Sequence, residues 1–223
     1  RQFQRGVFLK HAVPQGHVLG DADVFFEFPC ISDQVLANDW SKYTTYETNR
    51  PLEENVSLMK EDVRTTSKRE AAYQICQEIK SLLKQASVIY PGGIELEISH
   101  HYGIEKFKET GIAMLTVVNR EYCKKIIVVL SGQNHPEQFH KRKEETFHVL
   151  FGDLQLALDG SPSELQAGET VVIEPGTRHA FSTTTGCVLE EISTSHYQDD
   201  SYYTDPMIME NLERKTILKY WFD

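Results

Sequence analysis

From Ile94 onward, apolar and polar residues alternate with the two-residue period of β-strands. Ile94-Glu95-Leu96-Glu97-Ile98 alternates strictly. Ile112 to Val118, Lys125 to Leu130, Glu145 to Phe151, Leu154 to Leu158, Thr170 to Ile173 and Cys187 to Ile192 read as further strands. Gly152-Asp153 and Asp159-Gly160 read as turns between them. Many short strands with close turns predict a sandwich, jelly roll or barrel. Pro206 to Lys215 has the pattern of a short helix, and Ile217 to Phe222 that of an apolar tail that docks.

Upstream the period changes. Ser67-Lys68-Arg69-Glu70 has the form of a capping box, and Ala71, Ala72, Ile75, Ile79, Leu82 and Leu83 recur at helical spacing. This helix should end before Pro91-Gly92-Gly93 and connect two domains. Before it lies a faint repeat. Ala12 to Leu19, followed by Asp23-Val24, overlays Pro51 to Leu58, followed by Asp62-Val63, at a constant offset. Two such half-units predict a small, irregular β-fold with approximate two-fold symmetry; chance similarity is the competing reading. The expected organisation is therefore a small β domain over 1–64, a connecting helix over 65–90 and a β-barrel domain over 91–223.

Charge and cysteine usage narrow the partners. The 223 residues carry 33 acidic and 23 basic side chains, a formal net charge of −10. Such a surface repels phosphate backbones, so no nucleic acid is expected as a partner. No apolar run is long enough to span a bilayer, so no membrane is expected either. Cys30, Cys76, Cys123 and Cys187 are scattered, with no C-x-x-C pair. That argues against a zinc ribbon and for four reduced thiols in a cytoplasmic protein. The chain opens on Arg1 rather than Met, which gives the expectation of a piece of something longer.

Candidate chemistry gathers in two stretches, Gly132 to Gly152 and Gly168 to His179. Glu145 shares a strand face with Phe147 and Val149, so its carboxylate should point inward. A buried carboxylate is costly unless it is paired or bound to a metal. His140 lies just before it, and Pro175-Gly176 makes a turn that presents His179. Imidazole and carboxylate together suit zinc, nickel, iron or manganese. His148 falls on the opposite face and should lie at the surface. His100-His101 reads as a loop pair, Lys141-Arg142-Lys143 as a solvated turn that could attract an anionic sugar. His135 and His196 are candidates for the pocket or its mouth. Of Glu190 and Glu191, the pairing of Glu190 with Val188 and Ile192 favours Glu190 as the inward one.

These stretches resemble the two motifs of the cupin superfamily: glycine, two histidines, glutamate and glycine, then glycine, a proline-glycine turn and histidine. One position departs, because Gln138 stands where the first histidine belongs. An amide oxygen is a weaker ligand than imidazole for borderline metals. The run from Gly132 to Gly152, with His140-Lys141-Arg142-Lys143-Glu144-Glu145-Thr146-Phe147, is similar to the cupin module at the C-terminal end of sialic-acid-synthase-like proteins. Glu191 to Tyr197, with Asp200-Ser201-Tyr202-Tyr203, is similar to that module and to lyxose-isomerase-like cupins. Gly6 to Lys10, Asp23 to Pro29 and Ala37 to Tyr43 resemble the antifreeze-like (SAF) domain that follows the synthase barrel.

The resemblance implies a mainly β chain: an SAF-like domain, a connecting helix and a cupin (double-stranded β-helix) barrel. It implies a divalent transition metal on Gln138, His140, Glu145 and His179, and a sugar or sugar acid as the small-molecule partner. The activity implied is that of a sugar isomerase or epimerase in nonulosonate or related sugar biosynthesis, with Glu145 or Glu190 shuttling a proton. The competing expectation is a non-catalytic module that binds a sugar or nucleotide sugar. A homodimer is expected, and possible association or fusion with a synthase barrel. That barrel needs about 250 residues and is absent from this chain.

Overall fold

The structure is a computed structural model that describes residues 3–197, 199–219 and 221. The chain divides into two compact units, Arg1–Ala71 and Ala72–Asp223.

In the first unit β1 (Gly6–Leu9) pairs antiparallel with β2 (Val24–Glu27), and β3 (Thr44–Thr48) with β4 (Val63–Ser67). The repeat seen in the sequence is present in the backbone. Val13 and Leu52, equivalent by the overlay, donate to each other's carbonyls at 2.9 and 3.0 Å. The Gly20 N–H donates to Asp23 at 2.7 Å, and the matching Met59 N–H donates to Asp62 at 3.0 Å. Gly16 and Asn55, also equivalent, both have positive φ, +78° and +61°. Mutual bonding of equivalent residues is what a two-fold relation produces. Val7, Leu9, Val24, Val35, Leu52 and Leu58 from both halves fill one core.

Helix α1 (Lys68–Gln85) begins where Ser67 Oγ accepts the Glu70 N–H at 3.2 Å. Its apolar stripe, Ala72, Ile75, Cys76, Ile79, Leu82 and Leu83, is buried.

The second unit is a curled antiparallel sheet. Its strands are β5 (Leu96–Ser99), β6 (Ile112–Asn119), β7 (Tyr122–Val129), β8 (Asn134–Phe139), β9 (Glu145–Leu158), β10 (Ser161–Gln166), β11 (Thr170–Ile173), β12 (His179–Ser182), β13 (Cys187–Thr194), β14 (Tyr202–Tyr203) and β15 (Lys215–Leu218). The hydrogen-bonded order is β14-β8-β12-β9-β13-β7-β6-β5-β15, with β10 and β11 also paired to β9. The protein is thus mainly β, as its alternation predicts. Phe147, Val149, Leu154, Leu156, Ile173, Phe181 and Leu189 form the interior. Each such side chain contributes on the order of 2 kcal/mol by leaving water.

The turn expected at Gly152-Asp153 is instead part of one 14-residue strand, β9. Its pairing with β13 slips between Val188 and Leu189, so β9 carries an extra residue there and bends. Gly152 sits at the bend with φ +81°, where a Cβ would lie 1.9 Å from the Gly186 carbonyl oxygen. The bent strand pairs with β13 before Gly152 and with β12 beyond it. A short helix spans Pro206–Glu210. Of the tail, Trp221 is buried and its indole N–H donates to the Ile94 carbonyl at 2.8 Å; Phe222 lies outside the described residues.

Candidate metal centre

The ligand candidates come from three neighbouring strands and the loop between two of them. Gln138 on β8 lies directly opposite His179 on β12, so both side chains share the inner face. His140 follows β8 by two positions from Gln138, and Glu145 opens β9 on the face of Phe147 and Val149. Glu145, His140 and His179 are 2%, 4% and 1% exposed. Their ligand atoms lie within 4.8 Å of one another. Glu145 Oε2 is 3.5 Å from His140 Nε2 and 3.5 Å from His179 Nε2. Gln138 Nε2 stands 3.3 Å from His179 Nε2.

Backbone carbonyls orient both imidazoles. His140 Nδ1 donates to the Asp200 carbonyl, and His179 Nδ1 to the Thr177 carbonyl at 3.2 Å. With Nδ1 protonated, each Nε2 keeps its lone pair and faces the Glu145 carboxylate. Burial pushes the His140 imidazole below its ordinary pKa against the pull of the Glu145 carboxylate, and Lys143 adds to the effect of burial. His140 Nε2 and Glu145 Oε2 are buried without a hydrogen-bond partner. Two lone-pair donors left bare beside a third fit a divalent cation. Rotating the Gln138 amide would turn its oxygen to the same point, since amide orientation follows the network around it.

Beside this cluster lies an ion network. Lys143 is 3% exposed, and its ammonium contacts Glu145 at 2.5 Å and Glu191 at 3.1 Å. Lys125 approaches Glu191 at 3.6 Å, and Ser193 Oγ donates to it at 2.9 Å. Burial alone would raise the Glu191 pKa, but Lys125 and Lys143 hold it down at about 2. Burial works against the Lys143 ammonium too, yet Glu191 and Glu145 keep its pKa above the ordinary value. Lys125, Lys143, Glu145 and Glu191 line one cavity, together with Gln138 and His140.

The structure corrects two sequence expectations. Glu190 does not face the cavity: it is half-buried, 2.6 Å from Lys124 and 3.9 Å from His148. Leu189, Glu191 and Ser193 carry the inward phase of β13, whereas Ile192 is exposed. Val188 misleads because the outer face is also covered at that point. Lys143 is not solvated, since the carboxylates of Glu145 and Glu191 draw it inside. His100 and His101 do lie in a loop, but both are buried, His101 against the rings of His135 and Tyr203. His135 and His196 line the cavity, and His148 lies on the opposite face from Glu145. Glu191, the other member of the Glu190-Glu191 pair, is the inward one, as the odd-numbered phase Leu189-Glu191-Ser193 signals, and Lys125 and Asp200 join the site although neither is a candidate from the sequence.

The SAF domain family matches residues 4–64, and the Cupin domain family matches residues 125–192. The L-ribose isomerase of Cellulomonas parahominis superposes with a TM-score of 0.55 at 14% identity, covering 64% of this chain and 95% of that one. The L-ribose isomerase of Acinetobacter sp. DL28, solved with L-ribose, gives 0.54 at 13% identity, covering 64% and 94%. These likenesses show a shared cupin fold. In sequence, a D-lyxose ketol-isomerase of Thermofilum sp. is 26% identical over 136 residues, 48% of this chain and 76% of that protein. The D-lyxose/D-mannose isomerase of Thermosediminibacter oceani is 30% identical over 173 residues, 63% of this chain and 94% of that protein. The relatives of the barrel are sugar isomerases rather than sialic acid synthases. With an SAF unit ahead of a cupin barrel that spans nearly all of the Thermosediminibacter oceani enzyme, this chain belongs to the family of that D-lyxose/D-mannose isomerase.

Proposed function

We propose that the barrel is a metal-dependent aldose–ketose isomerase. The observation that carries this reading is the convergence of His140, Glu145 and His179 ligand atoms within 4.8 Å, with His140 Nε2 and Glu145 Oε2 bare, beside a cavity that His140 and Glu145 line. Kinship with sugar isomerases supports it. His140, Glu145 and His179, joined by Gln138, would hold a divalent transition ion, which when bound polarises a substrate carbonyl and acidifies the adjacent C–H and O–H groups.

The reaction moves one proton between C2 and C1 of the sugar and one between their oxygens, with no net gain or loss of atoms. Glu191 replaces Glu190 as the proposed proton acceptor. It lines the cavity and is held in place by Lys125, Lys143 and Ser193. Lys143 bridges Glu191 and Glu145, so its ammonium can donate hydrogen bonds to charge developing on a substrate oxygen. Phe147 and Phe181 give the cavity an apolar inner wall.

Metal analysis and a sugar-isomerisation assay of the purified chain test the reading. Near-stoichiometric metal, lost in His140→Ala with His179→Ala, and interconversion of an aldose with its ketose are expected. A metal-free chain that binds a sugar without turnover would instead establish a non-catalytic module, the reading that Gln138 in a ligand position favours. The SAF unit supports placing this chemistry beside a sugar-acid synthase.

A further inference from the structure

The chain carries a net charge of −10, yet one end of its cavity is positive. Lys125 and Lys143 are matched by Glu191 and Glu145. Lys215 is matched by Glu97 at 2.7 Å. That leaves Arg214, which lines the same cavity and is half-buried. Its guanidinium lies 5.1 Å over the Tyr203 ring, and among the described residues no carboxylate is within ion-pair distance of it. Tyr203 stands directly opposite Gln138 in the pairing of β14 with β8, so the stacked arginine belongs to the wall that carries the ligand candidates.

The neighbouring imidazoles add no charge of their own. Burial, then Arg214, His100 and Lys215, hold His101 at about 3. Burial, then Lys125 and Lys143, hold His196 at about 3. Both rings are neutral and both register the positive field. A divalent ion at His140, Glu145 and His179 would add to it. A half-buried guanidinium placed over an aromatic ring, with no ion-pair partner among the described residues, is suited to grip a planar carboxylate or a phosphate in two places.

We propose that Arg214 is a specificity-determining residue that receives an anionic group on the sugar, so that the substrate class is an acidic sugar rather than a neutral one. This rests on the isomerase reading for the orientation of the sugar, with its carbonyl end toward the metal ligands and its acidic end toward Arg214. The competing role for Arg214 is structural. β14 and β15 are the two ends of the strand order, and the Arg214–Tyr203 contact joins them across the seam.

Calorimetric titration of the whole chain with D-mannose, D-mannose 6-phosphate and D-mannuronate separates the possibilities. At least one acidic sugar should bind about tenfold or more tightly than mannose, and the preferred acid tells phosphate from carboxylate. Arg214→Gln should abolish that preference and leave mannose affinity within about twofold, while Arg214→Lys restores part of it. Equal binding of all three sugars, no binding of either acid, or an equal loss for all three in Arg214→Gln would overturn the proposal; the last result is the signature of the seam role. Failure to isomerise any of the sugars would count against the isomerase reading and leave the binding preference standing.

Discussion

The main chain of Asp200 holds the ring of His140, whose Nδ1 donates to the Asp200 carbonyl, while the Asp200 side chain holds the loop that follows. Its carboxylate accepts the backbone N–H groups of Lys141, Arg142 and Lys143, each at 3.1 Å. Burial opposes its charge, but the three donors hold the carboxyl below the usual range. One residue thus sets both a candidate ligand's tautomer and the position of Lys143. Asp200→Asn turns an acceptor into an N–H group that faces N–H donors, and the loop should loosen. Metal affinity measured by chelator competition is expected to fall about 10- to 100-fold with the far-UV spectrum unchanged. An unaltered affinity would show that the loop holds its shape without the carboxylate.

Gln138 offers the weakest ligand of the four. Gln138→His puts a second imidazole across from His179 on the paired strand. Affinity for zinc should rise, read in the same competition assay, because imidazole is the better donor for borderline ions. A fall would mean that the cavity is shaped around the amide.

Glu191→Gln leaves Lys125 without its carboxylate in a buried setting. Urea unfolding near pH 6 should show a loss of about 3 kcal/mol, the scale for breaking a buried pair. The pH dependence has a definite sign. The folded pKa of Glu191, about 2, lies below its ordinary value of 4.5. Its contribution is therefore fully present above about pH 4.5 and is lost as the pH falls toward about 2. The stability gap between wild type and variant should narrow across that window. A gap that stays constant would mean that the ion network adds nothing.

Gly152→Ala combines a strained positive φ with a Cβ set against the Gly186 carbonyl. The bend in β9 cannot accept it, and a loss of about 3 kcal/mol or more in denaturant unfolding is expected. A wild-type midpoint would place the bend elsewhere.

Much of the site is legible in the sequence, and the omissions share a cause. Glu145 could be placed inward because Phe147 and Val149 fix the phase of its own strand. His140 and His179 follow from their turns. Glu191 was missed for Glu190 because apolar Val188 suggests the wrong phase, and only the covered outer face explains that valine. Lys143 looks solvated in a basic run, and its burial draws on Glu145 nearby and on Glu191, a carboxylate 48 positions away. Arg214 meets Tyr203 only because the sheet curls until its two ends approach. Periodicity reports what a strand does by itself; long-range ion pairs and seams appear only once the sheet is assembled.

Val13 and Leu52 show how the first unit is put together. Because each offers the other the same pair of groups that it receives, a single half-unit has a ready partner in its own duplicate. Joining the copies in one chain turns an encounter between two molecules into a step within one, and the fold no longer depends on protein concentration.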